Sequence, residues 1–333
     1  MDPITQGALG VSLAQSCSRP KQLAWAGLFG MIGAMAPDLD VLIRSDTDPL
    51  LFLVYHRQFS HALLFIPFAG VLIGALLYGV LGKRNGFSLK QTIAFTTLGY
   101  ATHALLDACT TYGTQLLWPF SNQRFAWNNM PIVDPIYTLT ILLLVVLAAW
   151  HKKPWLARVA MAWVLAYPIV GVVQRDRAEA LGWELAAQRG HTPIRLEAKP
   201  SFANLILWKV VYETDQRFYV DAVRVAGDTT VYEGESLEKL VLARDFPWLD
   251  AASQQAKDVE RFRWFSNGYI AKDPQRPRHV IDVRYSMVPN EIEALWGIEL
   301  RPNAGIAEHS SYVVNRASTP RHQQALLDML RGR

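Results

Sequence analysis

The chain has 333 residues, 51% of them hydrophobic, and a formal net charge of +4 at pH 7. Its lysines and arginines are scattered or lie beside apolar stretches, so the positive charge does not indicate nucleic-acid binding. The two cysteines, Cys17 and Cys109, are too few for a disulfide framework or a cysteine-rich zinc module.

The N-terminus has no basic region of the kind that precedes a cleavable signal peptide, and it carries an acid at Asp2. Residues 4–16 are mostly apolar but too few to cross a bilayer. We therefore expect a short N-terminal helix against the other helices or the membrane interface. The first spans are expected to act as uncleaved insertion signals.

Long apolar stretches follow in the first half of the chain. A membrane-spanning helix needs about 20 mostly apolar residues, because the hydrocarbon layer is about 30 Å thick. Four stretches meet this requirement, and a fifth, 155–173, is interrupted only by Arg158 and Pro168. The pattern predicts an α-helical transmembrane bundle of four to five spans within residues 1–173. The predicted spans are 23–43, 62–81, 92–109, 135–150 and 155–173.

The distribution of cations predicts which loops are cytoplasmic, since short cytoplasmic loops retain Lys and Arg. If the spans alternate, one side receives eight cations and the other side three. The larger group is Arg19, Lys21, Lys83, Arg84, Lys90, Lys152, Lys153 and Arg158, and the smaller is Arg44, Arg57 and Arg124. The C-terminal part is then non-cytoplasmic, provided that the fifth span is real; without it, this part would lie inside.

Residues 174–333 have the pattern of a soluble domain, with charges throughout and apolar residues alternating at strand spacing. We predict an α+β domain with mostly antiparallel strands. A hairpin is expected from 208–213 and 217–223. Further strands are expected at 229–232, 268–271 and 279–285, and helices at 175–188, 237–244, 252–262 and 321–330.

Ionisable side chains near the ends of apolar helices are costly, so their presence requires a reason. Three clusters occur: Pro37-Asp38-Leu39-Asp40, His56-Arg57-Gln58-Phe59-Ser60-His61 and His103-Ala104-Leu105-Leu106-Asp107. Taken singly, they could be a helix stop, an interfacial histidine pair and a hydrogen-bonded pair inside a bundle. The predicted spans place all three at the same membrane face, and this common location favours a metal site.

The three clusters offer imidazoles and carboxylates, which suit zinc or another first-row divalent ion. Residues four apart on a helix share a face, so His103 and Asp107 can bind one ion. We expect one to three ions, with any surplus carboxylates orienting the histidines. The candidate ligands are Asp38, Asp40, His56, His61, His103 and Asp107.

Other residues near the clusters are open to two interpretations. Arg57 could bind a phosphate group bidentately. Asp134 could be an added ligand or the N-cap of the fourth span, and the sequence favours the cap. Tyr112, Trp118 and Trp127 could line a pocket, although aromatic residues at that depth are commonly membrane-interface anchors.

The clusters, together with the opening Met1-Asp2-Pro3-Ile4-Thr5-Gln6-Gly7-Ala8 and Tyr112-Gly113, resemble the bacterial membrane-bound metal-dependent hydrolase family. That family is distantly similar to zinc-dependent phospholipase C and S1/P1-type nucleases. The resemblance implies a multi-pass inner-membrane protein with a zinc-dependent phosphoesterase site. Many members have a histidine near position 6, where this chain has Gln6, which implies one ligand fewer if that histidine binds metal.

These observations predict hydrolysis of a phosphoester on a membrane lipid or lipid-linked substrate, with Asp38 or Asp40 accepting a proton from water and Arg57 holding a phosphate oxygen. No nucleic-acid partner is expected, and the sequence identifies no protein partner. One alternative is a non-enzymatic membrane protein with a structural metal or polar site and a soluble domain that binds envelope components or another partner. Another is a transporter, but the ionisable groups gather at one face instead of several depths.

Overall fold

The computed structural model describes all 333 residues and divides the chain into two compact units. The first unit contains Met1–Leu42, Tyr55–Val173 and Phe202–Asn204. The second contains Ile43–Val54, Gln174–Ser201 and Leu205–Arg333. The order of helices first and a mixed helix-and-strand part second agrees with the predicted fold class.

The first part of the chain is helical. The helices are α1 Pro3–Ser16, α2 Leu23–Met35, α3 Leu51–Tyr55, α4 Ile66–Leu77, α5 Leu89–Cys109, α6 Pro135–His151 and α7 Pro154–Gln188. Asp2 caps α1 by accepting a hydrogen bond from the Thr5 amide at 3.0 Å. The predicted fifth span and the helix predicted after it are joined in α7, a single helix of 35 residues with Pro168 inside it.

Two helical stretches are long and apolar enough to cross a membrane, Leu63–Asn85 and Pro154–Gln188, and α6 is apolar but shorter. This is fewer than the four to five spans that the sequence pattern predicts. The predicted first span breaks after Met35, where Pro37 lies in a 3₁₀ helix over Ala36–Leu42. Helix α5 is long enough, but buried polar residues such as Thr96 and His103 lower its hydropathy.

The apolar side chains of Leu63–Asn85 point mainly outward. Phe68, Leu72 and Leu76 are each more than three-fifths exposed, at 64%, 63% and 63%. Apolar residues on the outside of an apolar helix are what a lipid-facing surface requires.

Small residues bring α1, α2 and α5 into close contact. A Cβ atom added to Gly10 would lie 2.4 Å from the carbonyl oxygen of Gly30, and one added to Gly99 would lie 1.9 Å from the same atom. Glycine is required at such crossings because it lets two helix backbones touch. Gly99 lies one turn before His103, so this crossing also sets the position of a candidate ligand.

The second unit contains two antiparallel sheets, in the orders β1-β2-β3-β4, with β5 also paired to β3, and β6-β7-β8-β9. The strands are β1 Arg195–Pro200, β2 Leu207–Glu213, β3 Arg217–Val225, β4 Thr229–Tyr232, β5 Ser236–Glu238, β6 Ile270–Lys272, β7 His279–Asp282, β8 Trp296–Glu299 and β9 Ser311–Val314. The predicted hairpin is confirmed as β2 paired with β3. An apolar core cluster includes Val211 of β2 and Ile281 of β7.

Three further helices complete this unit: α8 Leu242–Asp245, α9 Gln254–Phe265 and α10 Pro320–Leu330. The last two match predicted helices to within a few residues. The helix predicted over 237–244 is wrong, since strand β5 occupies its beginning and only the short α8 follows. Leu237 of β5 pairs with Phe218 of β3, so these residues form part of the sheet instead of a helix.

Candidate metal centre

Three local structures carry the predicted ligands. Asp38 and Asp40 lie in the 3₁₀ helix Ala36–Leu42, which follows directly on α2. His61 ends a short 3₁₀ turn, Phe59–His61. His103 and Asp107 lie on one face of α5, as their spacing of four residues predicts.

The structure brings together one atom from each of four residues. The Nε2 atom of His103 lies 3.3 Å from Oδ1 of Asp38 and 3.6 Å from Oδ2 of Asp107. The Nε2 atom of His61 lies 3.7 Å and 3.3 Å from the same two oxygens. We call Asp38, His61, His103 and Asp107 the four-ligand cluster; its ligand atoms lie within 4.8 Å of one another.

Three of these atoms are buried and have no hydrogen-bond partner outside the cluster, apart from Nε of Arg57, which lies 2.9 Å from Oδ2 of Asp107. They are Nε2 of His61, Nε2 of His103 and Oδ2 of Asp107. Buried polar atoms in proteins are almost always hydrogen-bonded, so each exception requires an explanation. Two imidazole nitrogens and two carboxylate oxygens form a donor set that fits zinc or a similar divalent ion. The four-ligand cluster therefore fits a metal ion.

The other nitrogen of each histidine is fixed by a protein group. His103 donates from Nδ1 to the carbonyl oxygen of Ala34 at 2.5 Å, because a carbonyl can only accept. His61 Nδ1 lies 3.2 Å from Oδ2 of Asp40 and 3.0 Å from the Ser60 hydroxyl. Carbonyl and carboxylate partners of this kind orient metal-binding histidines and leave Nε2 available.

Asp40 serves mainly as an orienting group. Its Oδ1 atom accepts a hydrogen bond from His56 Nδ1 at 2.7 Å. Its Oδ2 atom accepts from the Arg57 amide at 3.0 Å and from the Ser60 hydroxyl at 2.7 Å. Asp38, Asp40 and His56 also form a second group with metal-ligand geometry.

Asp107 is completely buried and has cationic and polar neighbours. Its Oδ2 atom lies 2.9 Å from Nε of Arg57, and Nη1 of Arg57 donates to the Thr110 hydroxyl at 3.2 Å. Its Oδ1 atom accepts from Gln6 Nε2 at 2.9 Å and from the amino group of Met1. In this position Arg57 neutralises Asp107, and its bidentate contact with a phosphate stays a prediction.

Arg57 has a left-handed backbone, with φ of 64°. Its carbonyl oxygen accepts a hydrogen bond from the Gln115 amide at 2.9 Å, while its own amide donates to Asp40. A non-glycine residue in this region costs roughly 1–3 kcal/mol and persists only where its surroundings hold it. Strain at a residue between candidate ligands is typical of functional sites.

The site is negatively charged enough to hold a proton on His61 in the absence of a cation. Burial alone would lower the pKa of His61, but hydrogen bonds with Asp107, Asp38 and Asp40 outweigh it and raise the pKa to about 10. A metal ion and this proton would therefore compete for the same nitrogen.

The cluster opens at one edge. His61, His103 and Asp107 are buried, whereas the side chain of Asp38 is 31% exposed and that of His56 is 22% exposed. Solvent can therefore reach the site beside Asp38 and His56.

The structure also decides the role of Asp134, which the sequence left open, and places His322 beside two acidic residues. Asp134 caps α6, since its carboxylate accepts from the Tyr137 amide at 3.1 Å and from the Tyr167 hydroxyl at 2.8 Å. His322, for which no role was predicted, lies near Glu291 and Glu293. Its Nδ1 accepts from the Thr319 amide at 3.3 Å, which gives it a helix-capping role in α10.

Some functional neighbours were missed by sequence reasoning. Gln6, Ser60, Thr110 and the Ala34 carbonyl all contact candidate ligands. Ser60 and Thr110 are adjacent in sequence to predicted cluster residues or within one turn of them, so proximity was an available signal. Gln6 and Ala34 are brought in by the crossings of α1, α2 and α5, for which no local signal exists.

Two helical stretches long and apolar enough to cross a membrane, together with a cluster of side chains that could hold a metal ion, indicate a membrane protein with a candidate metal site in its helical half. A model of the family described as YdjM inner membrane protein matches residues 1–178, and the chain belongs to this family.

Two relatives resemble the chain beyond the family match. The uncharacterized protein YfhP of Bacillus subtilis strain 168 is 24% identical over 271 residues, which cover 77% of this chain and 76% of that protein. The inner membrane protein YbcI of Escherichia coli K12 is 36% identical over 111 residues, 32% of this chain and 58% of that protein. No solved structure matches the chain significantly.

Proposed function

We propose that this protein is a membrane-embedded, metal-dependent hydrolase that cleaves a phosphoester of a lipid or lipid-linked substrate. The observation that supports it best is the four-ligand cluster, in which three buried ligand atoms face one another with no other hydrogen-bond partner except Arg57, which contacts Asp107. The resemblance to membrane-bound metal-dependent hydrolases and zinc phospholipases implies the same chemistry. The metal proposed is zinc.

The exposed edge favours a reactive site over a structural one. Structural zinc sites are closed by four protein ligands, whereas catalytic sites keep one position accessible. Because the cluster already offers four protein ligands, a reactive site requires that the partly exposed Asp38 leave its position to water or substrate, or that the ion take a fifth ligand on the side of Asp38 and the neighbouring, partly exposed His56. A substrate at this edge would approach from one side of the cluster only.

A divalent ion in the cluster would supply Lewis acidity towards a phosphoryl oxygen and favour deprotonation of water. The chain's own groups complete the site. Asp40 holds Nδ1 of His56, which leaves Nε2 to take a proton, in the manner of histidine–carboxylate pairs in other hydrolases. Arg57 balances the charge of Asp107 inside the protein.

If the five predicted spans alternate, of which two are long and apolar enough in the structure, the excess of cations on one side supports placing the site and residues 174–333 at the outer face of the inner membrane. A reporter that is active only outside the cytoplasm, fused after Arg175, tests this placement directly. Activity of a cytoplasmic reporter at the same position would reverse it.

The function is tested by metal analysis of detergent-purified protein, followed by assays on phospholipids and generic phosphodiesters. His103→Ala should lose both bound metal and hydrolysis, whereas His151→Ala, changed at the end of α6 away from the site, should retain both. Bound metal without hydrolysis of any phosphoester would favour the alternative of a structural metal site. Protein without metal would rule out both.

A further inference from the structure

Residues 43–54 separate two stretches that carry candidate ligands. Ile43–Val54 belongs to the C-terminal unit, together with Gln174–Ser201 and Leu205–Arg333. Asp40 lies three residues before this segment, and His56 lies two residues after it. Contacts that hold this segment within the C-terminal unit therefore also restrict the positions of the residues on either side of it.

The segment is held by a bidentate ion pair. Nη1 of Arg261 donates to Oδ1 of Asp48 at 2.9 Å, and Nη2 donates to Oδ2 at 3.0 Å. Paired hydrogen bonds of this kind fix orientation as well as distance. Oδ1 of Asp48 also accepts from the Leu50 amide at 3.0 Å, immediately before α3 begins at Leu51.

The residues behind Arg261 are themselves fixed. Arg261 lies on α9 and contacts the buried carboxylate of Asp258 at 3.3 Å. Asp258 accepts a hydrogen bond from the Ser310 amide at 2.8 Å, and His309 Nδ1 lies 3.0 Å away. The ion pair is therefore backed by a connected polar network inside the C-terminal unit.

Apolar packing adds to the anchoring. Leu50 and Leu53 are completely buried, at 0% and 1% exposed. The ring of Phe52 packs edge-on against Tyr312 of β9, with centroids 4.9 Å apart. These contacts fix α3, which ends at Tyr55, one residue before His56.

Beyond α3 the chain enters the strained backbone of Arg57. Its left-handed conformation needs support from both sides, since it is unfavourable by itself. On the N-terminal side the Arg57 amide is held by Asp40, and the preceding chain is held through α3. On the C-terminal side the Arg57 carbonyl oxygen accepts a hydrogen bond from the Gln115 amide.

We infer that Asp48 and Arg261 are positioning residues for the metal centre. By fixing α3, they hold His56 and Arg57 where one carboxylate, that of Asp40, accepts hydrogen bonds from both. This inference rests on the proposed metal centre and gives the C-terminal unit a role in it: completing the geometry of a site whose ligands lie in the helical part.

The test removes the ion pair from each side and measures zinc affinity of the full-length protein in detergent, by competition with a chromogenic chelator. Arg261→Gln and Asp48→Asn should each weaken zinc binding about tenfold, the lower end of the effect of lost orienting contacts. The double variant should be no weaker than either single variant, because both changes remove the same interaction. Arg261→Lys should recover part of the affinity, since it keeps the charge but not the fork.

Arg263→Gln is the matched control, because Arg263 lies on the same helix and forms its ion pair with the exposed Glu260. Limited proteolysis provides a second readout: cleavage within residues 43–54 should increase in Arg261→Gln and Asp48→Asn and not in Arg263→Gln. If Arg261→Gln does not fold, Asp48→Asn removes the same ion pair by a change within residues 43–54.

Wild-type zinc affinity in both single variants would overturn the inference, and so would strictly additive losses in the double variant. A wild-type protein that binds zinc but hydrolyses no phosphoester would contradict the proposed function and leave this inference standing, because zinc affinity does not depend on turnover. A wild-type protein that binds no zinc would overturn both.

Discussion

The backbone of Gly99 lies directly against the carbonyl oxygen of Gly30, so closely that a Cβ atom on Gly99 would be 1.9 Å from it. This crossing of α5 and α2 places His103 one turn further along α5 and Ala34 one turn further along α2. The hydrogen bond from His103 Nδ1 to the Ala34 carbonyl depends on that distance. The position of a ligand is thus set by two glycines that carry no side chain.

Gly99→Ala should force the two helices apart, with a destabilisation of about 1–3 kcal/mol or more from overpacking. Thermal unfolding in detergent and bound zinc should both fall. Gly79→Ala is the matched control, since an added Cβ at Gly79 has nothing within 4 Å. Equal behaviour of the two variants would contradict the role given to the crossing.

Asp40→Asn should lower zinc affinity by about 10–100-fold, the usual effect of losing a group that orients metal ligands. The amide has one acceptor oxygen and cannot satisfy His56, Arg57 and Ser60 together. The measurement is a chelator competition, with Asp46→Asn, an exposed acid, as control. Unchanged affinity would remove Asp40 from the site.

Asp134→Ala should destabilise the protein by about 0.5–2 kcal/mol through loss of the N-cap of α6. Asp134→Asn should be much milder, since Asn is an equally good cap. Both variants should keep the zinc content of the wild type. Loss of zinc from Asp134→Asn would instead make Asp134 a ligand.

We expect Lys209 to make the stability of the C-terminal unit depend on pH. Its Nζ atom is buried and donates to the Ser286 hydroxyl at 2.7 Å and the Glu291 carbonyl at 2.8 Å, and burial lowers its pKa to about 7. Between that value and the unfolded value near 10.4, the unfolded chain binds more protons, so stability rises with pH.

The melting temperature of the wild type should therefore rise by a few degrees from pH 7 to pH 9, where the unfolded chain still carries the proton. Lys209→Met should show a smaller pH dependence, because the side chain is similar in length and cannot titrate. A melting temperature that falls equally in both proteins over this range would show that Lys209 does not titrate as described.

Local chemistry explains which parts of the site were predictable. The spacing of His103 and Asp107 indicates a shared helix face, and Pro37 beside Asp38 indicates a break at the end of α2. The contacts of Asp107 with Gln6 and Arg57 were not predictable, because these two residues are 101 and 50 positions away from it in the sequence and only the fold brings them together.

The missed strands have two different causes. Strand β1 alternates polar and apolar residues from Arg195 to Pro200, so its strand signal was present and was overlooked. Strands β5, β8 and β9 have only three or four residues, too few for an alternation to be recognised. Strand β2 was predicted, but the burial of Lys209 and Glu213 along it was not, because it depends on the second sheet and the loops packed against it.

The ion pair between Asp48 and Arg261 joins residues 213 positions apart. During synthesis, the segment that carries Asp48 emerges long before its partner exists. Asp38, Asp40, His56 and His61 are all made early, yet the segment between them stays unanchored until α9 has formed. If the proposed metal centre depends on this ion pair, its completion waits until α9 has been synthesised, and a chain truncated before Gln254 should bind metal weakly.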